Sequence, residues 1–456
     1  MIPGDRLVET ALATSPADET IVMVTDSAEA SLRWAGSSMT TNGSARARGA
    51  TILAIRRTPG GAHCGVVSAP IVDADDIGAV VAAAWAAAQQ APAAPDAMPL
   101  IDGDDTDPQW GDEAVGTDVE VFAPLLDGLA AGFDDTDALY GFAHHQSTTM
   151  WLGTSTGVRR RWVQRDGSLE LNGKRGGLTG ASAWVGAGTV DFTDIAMDPL
   201  RAELARRLDW AGTRVDLPAG RYETLLPPSV VADLMIPLLW SLDGRGAEEG
   251  RSVWAGPGGT RLGEQIAGLP VTLTSDPAAP GLGYAPFVVA TASTDSVSVF
   301  DTGMSASRVD WLRDGALHAL AYPRAAAAEF GATPTAPGEN LLLTGGSTAD
   351  VDDMIARTER GLLLTTVWYL REVDPAVLLL TGLTRDGVYL VEDGQVRAAV
   401  NNFRFNESPV DLLGRATEIG ATERTLPREW KDWFTRTAMP PVRIPDFHMS
   451  SVSAAH

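Results

Sequence analysis

The sequence predicts an α+β protein: an N-terminal α/β sandwich-like domain followed by a β-rich C-terminal domain. Three observations carry this. Short apolar or alternating runs bounded by Gly, Pro, Asn and Asp recur along most of the chain. Helical periodicity is confined to a few segments separated by runs of strands, the pattern of an antiparallel sheet with helices. The length of 456 residues exceeds one ordinary domain, and 45% hydrophobic residues with 13 Trp supply a sizeable core.

The charge narrows the function classes. Lys+Arg 35 against Asp+Glu 59 leaves a net charge of −24, so nucleic acid and anionic membranes are not expected partners, because a phosphate surface repels such a chain. The plain reading of the acidity is solubility. A single cysteine, Cys64, excludes an intrachain disulfide and a multi-thiolate metal site. The start, Met1-Ile2-Pro3-Gly4-Asp5, has no basic n-region or apolar h-region, so no signal peptide is expected. No apolar run is long enough to span a membrane, and the Ala-rich Ile77–Ala88 is too short. The expectation is a cytoplasmic protein.

In chain order, Asp5 to Ala13 reads as a helix with Leu7, Val8, Ala11 and Leu12 on one face. Thr20–Thr25 and Ser31–Ala35 read as two strands, Asn42-Gly43 as a turn, and Ala50–Arg56 and Cys64–Ala69 as two more strands. Asp73-Ala74-Asp75-Asp76 places carboxylates at the start of a helix running to about Ala91, where the helix dipole favours them. Residues 91–116 are Pro-rich and acidic and read as a disordered surface loop. Asp118–Leu129 reads as a helix. Leu139–His144, Thr148–Leu152, Gly157–Gln164, Ser168–Asn172 and Leu178–Val185 read as a meander with Asp166-Gly167 as one turn, and Pro199–Trp210 as a helix. The domain boundary is placed within Gly212–Gly220, giving domains 1–216 and 217–456.

The second half opens with a strand, Arg221–Leu226. Pro227-Pro228-Ser229 then starts an apolar helix, Val230 to Leu242. Glu248 to Gly263 is a Gly-rich loop. Strands are expected at Val271–Asp276, Phe287–Ser293, Ser296–Asp301, Leu317–Pro323 and Leu341–Gly345, with a short helix at Met354–Arg360. The most informative stretch is Thr365–Leu413. Val377 to Thr381 is a continuous apolar run. Val388–Glu392 and Gln395–Val400 are joined by Asp393-Gly394, a strong hairpin signal. Asn401-Asn402-Phe403-Arg404-Phe405-Asn406 interleaves amides and an Arg with aromatics. A helix follows, with Ser408 as N-cap and Pro409 at its first position.

Few motifs carry chemistry. Gly153-Thr154-Ser155-Thr156-Gly157 matches G-x-S-x-G, but a nucleophile elbow needs a strand-to-helix turn, and the residues that follow, VRRRWVQ, form a strand. Asp102, Asp104, Asp105, Asp107 and Glu113 resemble an EF-hand loop only in part, since Asp107 stands where the essential Gly belongs. His144-His145 would point to opposite faces of a strand and cannot readily chelate one metal; His63-Cys64 fails likewise, and His318, His448 and His456 are isolated. Gly345-Gly346-Ser347 lacks the Gly-Lys-Ser/Thr of a phosphate loop and reads as a turn. On an edge strand, Asn402, Arg404 and Asn406 would face one side and could line a groove for an extended peptide added as a strand; otherwise Phe403 and Phe405 are simply core.

Together, Val373–Val396, Asn401–Leu413 (NNFRFNESPVDLL) and the tail MPPVRIPDFHMSSVS (Met439–Ser453) resemble the C-terminal half of the TldD/PmbA (TldE) family, whose members were first described as modulators of DNA gyrase. Leu152–Arg161 (LGTSTGVRRR) also fits. The resemblance covers most of the chain and is strongest after Arg221.

The resemblance implies a cytoplasmic peptidase built from two homologous subunits, which degrades unfolded peptides and trims some peptide precursors. One, TldD, carries zinc through a helical H-E-x-x-x-H motif and a further Cys; TldE or PmbA lacks those ligands and pairs with it. None of the six His here is followed by Glu. The corresponding helix, Val230–Leu242, holds Asp233 as its only carboxylate, and Cys64 lies in the other domain. Zinc hydrolysis needs three protein ligands and a base beside the bound water. The expectation is therefore a TldE-like subunit with no catalytic or metal-binding residues of its own. Zinc is expected only in a TldD-like partner, and an extended peptide is held near Asn402, Arg404 and Asn406. The alternatives are a homodimeric peptide-binding scaffold and a metal-independent hydrolase using Ser155.

Overall fold

A computed structural model describes residues 2–72, 75–103, 105–177 and 180–453. Asp73 and Ala74 of the expected helix start, Asp104 of the acidic run, Leu178 and His456 lie outside the described residues. The chain is a mixed α+β protein with several sheets.

The N-terminal sheet is antiparallel and six-stranded. Its strands are β1 (Glu19–Trp34), β2 (Met39–Thr58), β3 (Gly61–Pro70), β4 (Ala138–Thr154), β5 (Arg159–Arg175) and β6 (Ala181–Thr189), in the order β3-β2-β1-β4-β5-β6. Strand alternation sorts its two faces. Val22 and Val24 of β1 pack with helices α1 (Gly4–Thr14) and α2 (Asp76–Gln90). Further along the same face, Ala30, Leu32 and Trp34 pack with helices α3 (Leu126–Asp134) and α4 (Met197–Trp210). The intervening residues Ile21 and Met23 point the other way, onto Phe287 and Phe300 from the C-terminal half.

Several turns expected from sequence are absent. Thr20–Thr25 and Ser31–Ala35 belong to one sixteen-residue strand, and Asn42-Gly43 lies inside β2, paired with Leu32 and Ser31. The hairpin instead reverses at Gly36 and Ser37, both left-handed at φ 59 and 58, as a two-residue hairpin loop requires. Burial explains the choice: Ala28, Ala30, Leu32 and Trp34 continue the buried face set by Val22 and Val24, so breaking the strand at Asn-Gly would expose them. Asp166-Gly167 likewise runs straight through β5, opposite Gln146 and His145. The expected helix 118–129 is a 3₁₀ segment, Val119–Leu125, carrying Pro124, followed by α3.

The C-terminal half is built on a large mixed sheet. Its strands are β7 (Arg214–Val215), β8 (Gly220–Leu226), β9 (Arg360–Leu364), β10 (Val367–Asp374), β11 (Leu379–Thr384), β12 (Val388–Glu392), β13 (Gln395–Val400), β14 (Phe403–Glu407) and β15 (Val442–Val452). Their order is β10-β11-β14-β15-β8-β9-β12-β13-β7. The Asp393-Gly394 hairpin forms as expected, with both residues left-handed at φ 50 and 74. A second sheet of six short strands includes Thr272–Ser275, Leu341–Thr344, Glu423–Thr425 and Thr437–Met439. Helix α5 (Pro228–Trp240) is buried in the core that both sheets line.

Phe287–Ser293 and Ser296–Asp301 are not strands; a single bridge at Phe287 and a 3₁₀ turn at Val299–Asp301 are the regular features there. Their apolar side chains serve a different end, covering Leu53, Ile55 and Leu152 on the outer face of the N-terminal sheet. Ser408 stands at the N-cap of its helix with Pro409 next, as expected, but its hydroxyl donates to Val377 O at 2.8 Å instead of accepting a helix amide.

Candidate functional site

Pro228 at the first turn and a run of aliphatic residues make α5 a helix that is apolar on every side, which marks a fully buried helix. Ten of its thirteen residues are buried, Asp233 among them at 0% exposure. That carboxylate accepts the backbone amides of Arg428 at 3.1 Å and Glu429 at 2.9 Å. The Asp233 carbonyl accepts the indole N–H of Trp430 at 2.9 Å, and the Trp430 ring meets Trp240 edge-on at 5.0 Å. Burial raises the Asp233 pKa well above the ordinary carboxyl value of 3.8, against the two amides that favour the anion.

The loop held by Asp233 reaches in two directions. The Glu429 carboxylate accepts the amides of Tyr369 and Leu370, both at 3.1 Å, where β10 bulges and Tyr369 turns left-handed at φ 53. The Arg428 guanidinium lies over Trp184 of the N-terminal sheet at 5.3 Å and over Trp368 of β10 at 5.1 Å. Lys431 pairs with Glu170 of β5 at 3.2 Å. Residues 428–431 therefore tie α5 to the outermost strand of the large sheet and to the N-terminal sheet. Tyr369, Trp240 and Trp433 form an exposed aromatic rim here, Trp433 at 79%.

Asn402, Arg404 and Asn406 sit on or beside β14, but β14 is not an edge. It pairs with β11 on one side and β15 on the other, so its backbone is fully engaged and no peptide can add to it as a strand. Phe403 and Phe405 point inward at 0% exposure, with Phe405 5.4 Å from Phe447, so the aromatic half of the motif is core. Arg404 and Asn406 project from the opposite face. Arg404 stands beside Leu383, itself opposite Trp368, and Asn406 stands beside Thr381, opposite Arg371. The peptide-holding expectation thus reduces to side chains on the outer face of the sheet.

The Ser155 hydroxyl accepts the amide of Thr20 at 3.0 Å, and its own amide donates to Thr20 O at 2.8 Å; it occupies a strand-turn-strand corner. His145 is buried between Thr117 Oγ1 at 2.7 Å and Val190 O at 2.8 Å, whereas His144 stacks on Phe142. Apart from Asp104, which lies outside the described residues, the acidic stretch is a strap laid against the N-terminal sheet rather than a disordered loop. The Trp151 indole donates to Trp110 O at 3.0 Å, Arg160 pairs with Asp105 at 3.0 Å, and Arg161 Nη2 donates to Glu113 O at 2.6 Å. Of the arginine run of β5, Arg160 supplies its counter-charge, while Arg159 pairs with Glu9 of α1 at 2.6 Å. Gly345, left-handed at φ 105, ends the strand Leu341–Thr344, and the Ser347 amide donates to Ile419 O at 2.8 Å. Among the described residues, no group of three or more His, Cys, Asp and Glu could hold a metal ion.

Sequence reasoning identified α5 but missed what Asp233 does. The signal was present as a lone carboxylate in an otherwise apolar helix, which must find partners when buried. Its partners, almost two hundred residues away in sequence, could not be read from it.

A family model described as the PmbA/TldA metallopeptidase C-terminal domain matches residues 219–451. No curated protein sequence matches the chain. Among solved structures, TldE from Thermococcus kodakarensis superposes with a TM-score of 0.76 at 14% identity, covering 97% of this chain and 99% of that one. A candidate modulator of a DNA gyrase from Thermotoga maritima gives a TM-score of 0.74 at 16% identity, covering 97% and 98%. A candidate modulator of DNA gyrase from Bacteroides thetaiotaomicron gives 0.74 at 14% identity, covering 98% of each chain. At these identities the structural likeness speaks for the fold.

Proposed function

This chain belongs to the PmbA/TldD metallopeptidase family, and from that premise we propose that it is the non-catalytic, metal-free subunit of a heteromeric peptidase. It holds an extended peptide, and a homologous partner carrying H-E-x-x-x-H and zinc does the cutting. The observation that carries the reading is α5. It offers neither His nor Glu, and its one carboxylate is spent on the amides of Arg428 and Glu429. A hydrolytic zinc needs three ligands and a base beside an open coordination position, and Asp233 at 0% exposure supports a structural role instead. The outer face bearing Asn402, Arg404 and Asn406 is the proposed peptide-facing surface, bound through side chains rather than through a strand edge. The proposed setting is the cytoplasm, with no nucleic acid or membrane partner.

The test is reconstitution with such a homologue. The mixture should hydrolyse unfolded casein and lose that activity to a chelator, while this chain alone should be inert. Chelator-insensitive hydrolysis by the purified chain would sink the reading and return attention to Ser155. Peptide binding without any association with the homologue would favour a homodimeric scaffold.

A further inference from the structure

A cleft of about 620 Å³ opens where β5 faces the second C-terminal sheet, a size typical of small-ligand sites. In a chain of net charge −24, four arginines line it: Arg161, Arg165, Arg424 and Arg436. Two are neutralised. Arg436 holds Asp166 through two contacts of 2.8 and 2.9 Å, and Arg424 holds Asp194 at 2.7 Å. The guanidinium groups of the other two pair with no carboxylate among the described residues, although the Asp107 carboxylate accepts the Arg161 amide at 3.4 Å. Arg161 is 6% exposed, gives Nη2 to the Glu113 carbonyl and stacks over Trp151 at 5.7 Å, and its Nε has no partner. Arg165 is exposed and its guanidinium makes no ion pair or hydrogen bond among the described residues, though its charge is felt at Asp191. A buried cation without a counter-charge is costly unless something supplies one.

We propose that this cleft is a binding site for a carboxylate, held between Arg161 and Arg165. Planar guanidinium groups match a carboxylate with paired N–H donors. The exposed carboxylates of Asp112 and Glu113 also line the cleft; they repel a doubly charged phosphate about twice as strongly as a single carboxylate. Elsewhere the wall mixes short apolar residues, Pro277, Ala278 and Val163, suited to an aliphatic backbone, with the polar Gln109, Gln164 and Thr435. Two sources present this chemistry: the C-terminus of a short peptide and a small dicarboxylic acid. The site stands apart from the proposed peptide-facing surface on β14 and does not depend on it.

Calorimetry on the full chain distinguishes them, using trialanine as free acid, trialanine amide, glutarate and inorganic phosphate. The free acid should bind at least about tenfold more tightly than the amide. Arg165→Gln, at an exposed position, should keep the circular dichroism spectrum and weaken the free acid about tenfold while leaving the amide unchanged. Arg161→Lys, which keeps the charge but loses the fork, should weaken it less. Glutarate binding with the same dependence on Arg165, without the peptide, supports the carboxylate site and assigns it to small acids. Equal binding of acid and amide, tighter binding of phosphate, no binding of either carboxylate, or indifference to Arg165→Gln overturns it.

Discussion

Replacing Asp233 should release the loop that α5 holds. In Asp233→Ala the amides of Arg428 and Glu429 lose acceptors at 3.1 and 2.9 Å. A buried donor left without an acceptor costs about 1–3 kcal/mol. Removing a desolvated carboxyl returns part of this, so the net loss should be roughly 2–3 kcal/mol. Asp233→Asn keeps one acceptor oxygen and turns an N–H group toward the other amide, so it should cost roughly 1–2 kcal/mol. The readout is a urea midpoint followed by tryptophan fluorescence, because Trp430 is pinned to the Asp233 carbonyl and to Trp240. Alanine should shift the midpoint further than asparagine.

The pH dependence gives a sharper discriminator. Burial holds the Asp233 carboxyl above its ordinary 3.8. From 3.8 upward the unfolded chain sheds this proton while the folded chain keeps it, so the folded state binds more protons. Stability from this group therefore falls as pH rises through that window and levels off above the folded value. Asparagine cannot titrate, so the wild-type chain should lose stability relative to Asp233→Asn as pH rises above about 4. A difference that is flat, or that grows in favour of the wild type with rising pH, refutes the reasoning. It would mean that the two amides outweigh burial and that Asp233 is held as an anion.

Other perturbations follow from close contacts and buried charges. Gly65→Ala would place a Cβ 2.2 Å from Ala88 N and 2.3 Å from Ala84 O, both backbone atoms of α2; it should cost about 1–3 kcal/mol or more, read from the thermal midpoint. Arg443, 9% exposed, joins Glu223 at 2.6 Å, Glu418 at 2.9 Å and the Met354 carbonyl at 3.0 Å. Arg443→Ala should cost about 1–3 kcal/mol, removing the partner of Glu223 and one of the two arginines on Glu418, which keeps Arg357, while Arg360→Ala, at an exposed pair, should cost under about 1 kcal/mol. Burial pulls the His145 imidazole below its ordinary 6.5. The unfolded chain thus gains the proton first as pH falls below 6.5, so wild-type stability should drop there; His145→Gln should lack that slope in urea titrations across this range.

Local patterns in the sequence announced strands correctly but not their continuity. Asn42-Gly43 and Asp393-Gly394 are equally good turn dipeptides, yet only the second turns. At Asp393-Gly394 the flanking residues Leu390 and Val391 gain partners by folding back on Val396 and Ala398. At Asn42-Gly43 the chain already pairs in register with β1, whose buried face runs unbroken to Trp34. The expected strands across 287–301 failed because apolar content arose from docking onto another sheet, not from pairing. The acidic strap was misread because its stabilising partners, Trp151 and the β5 arginines, come from a later part of the chain. The polar-aromatic motif was legible as an inward-outward alternation, but whether its strand lay at an edge depends on β15, nearly forty residues further on.

The commitment of Asp233 bears on whether α5 could be turned into a zinc helix by substitution alone. A grafted H-E-x-x-x-H needs positions i, i+1 and i+5. Starting at Val231, these are Val231, Ala232 and Ile236, exposed by 2%, 0% and 0%. Imidazoles there would replace aliphatic packing in the main core and lack solvent for the open coordination position that hydrolysis requires. The loop at 428–430 also sits over α5, fixed by Asp233 and Trp430. The Val231→His, Ala232→Glu, Ile236→His graft should therefore lower the thermal midpoint and bind zinc no more tightly than the parent chain by competition with a chromogenic chelator. Tight stoichiometric zinc binding by a well-folded graft would show that α5 is more open than its burial indicates, and would weaken the case for a purely structural helix.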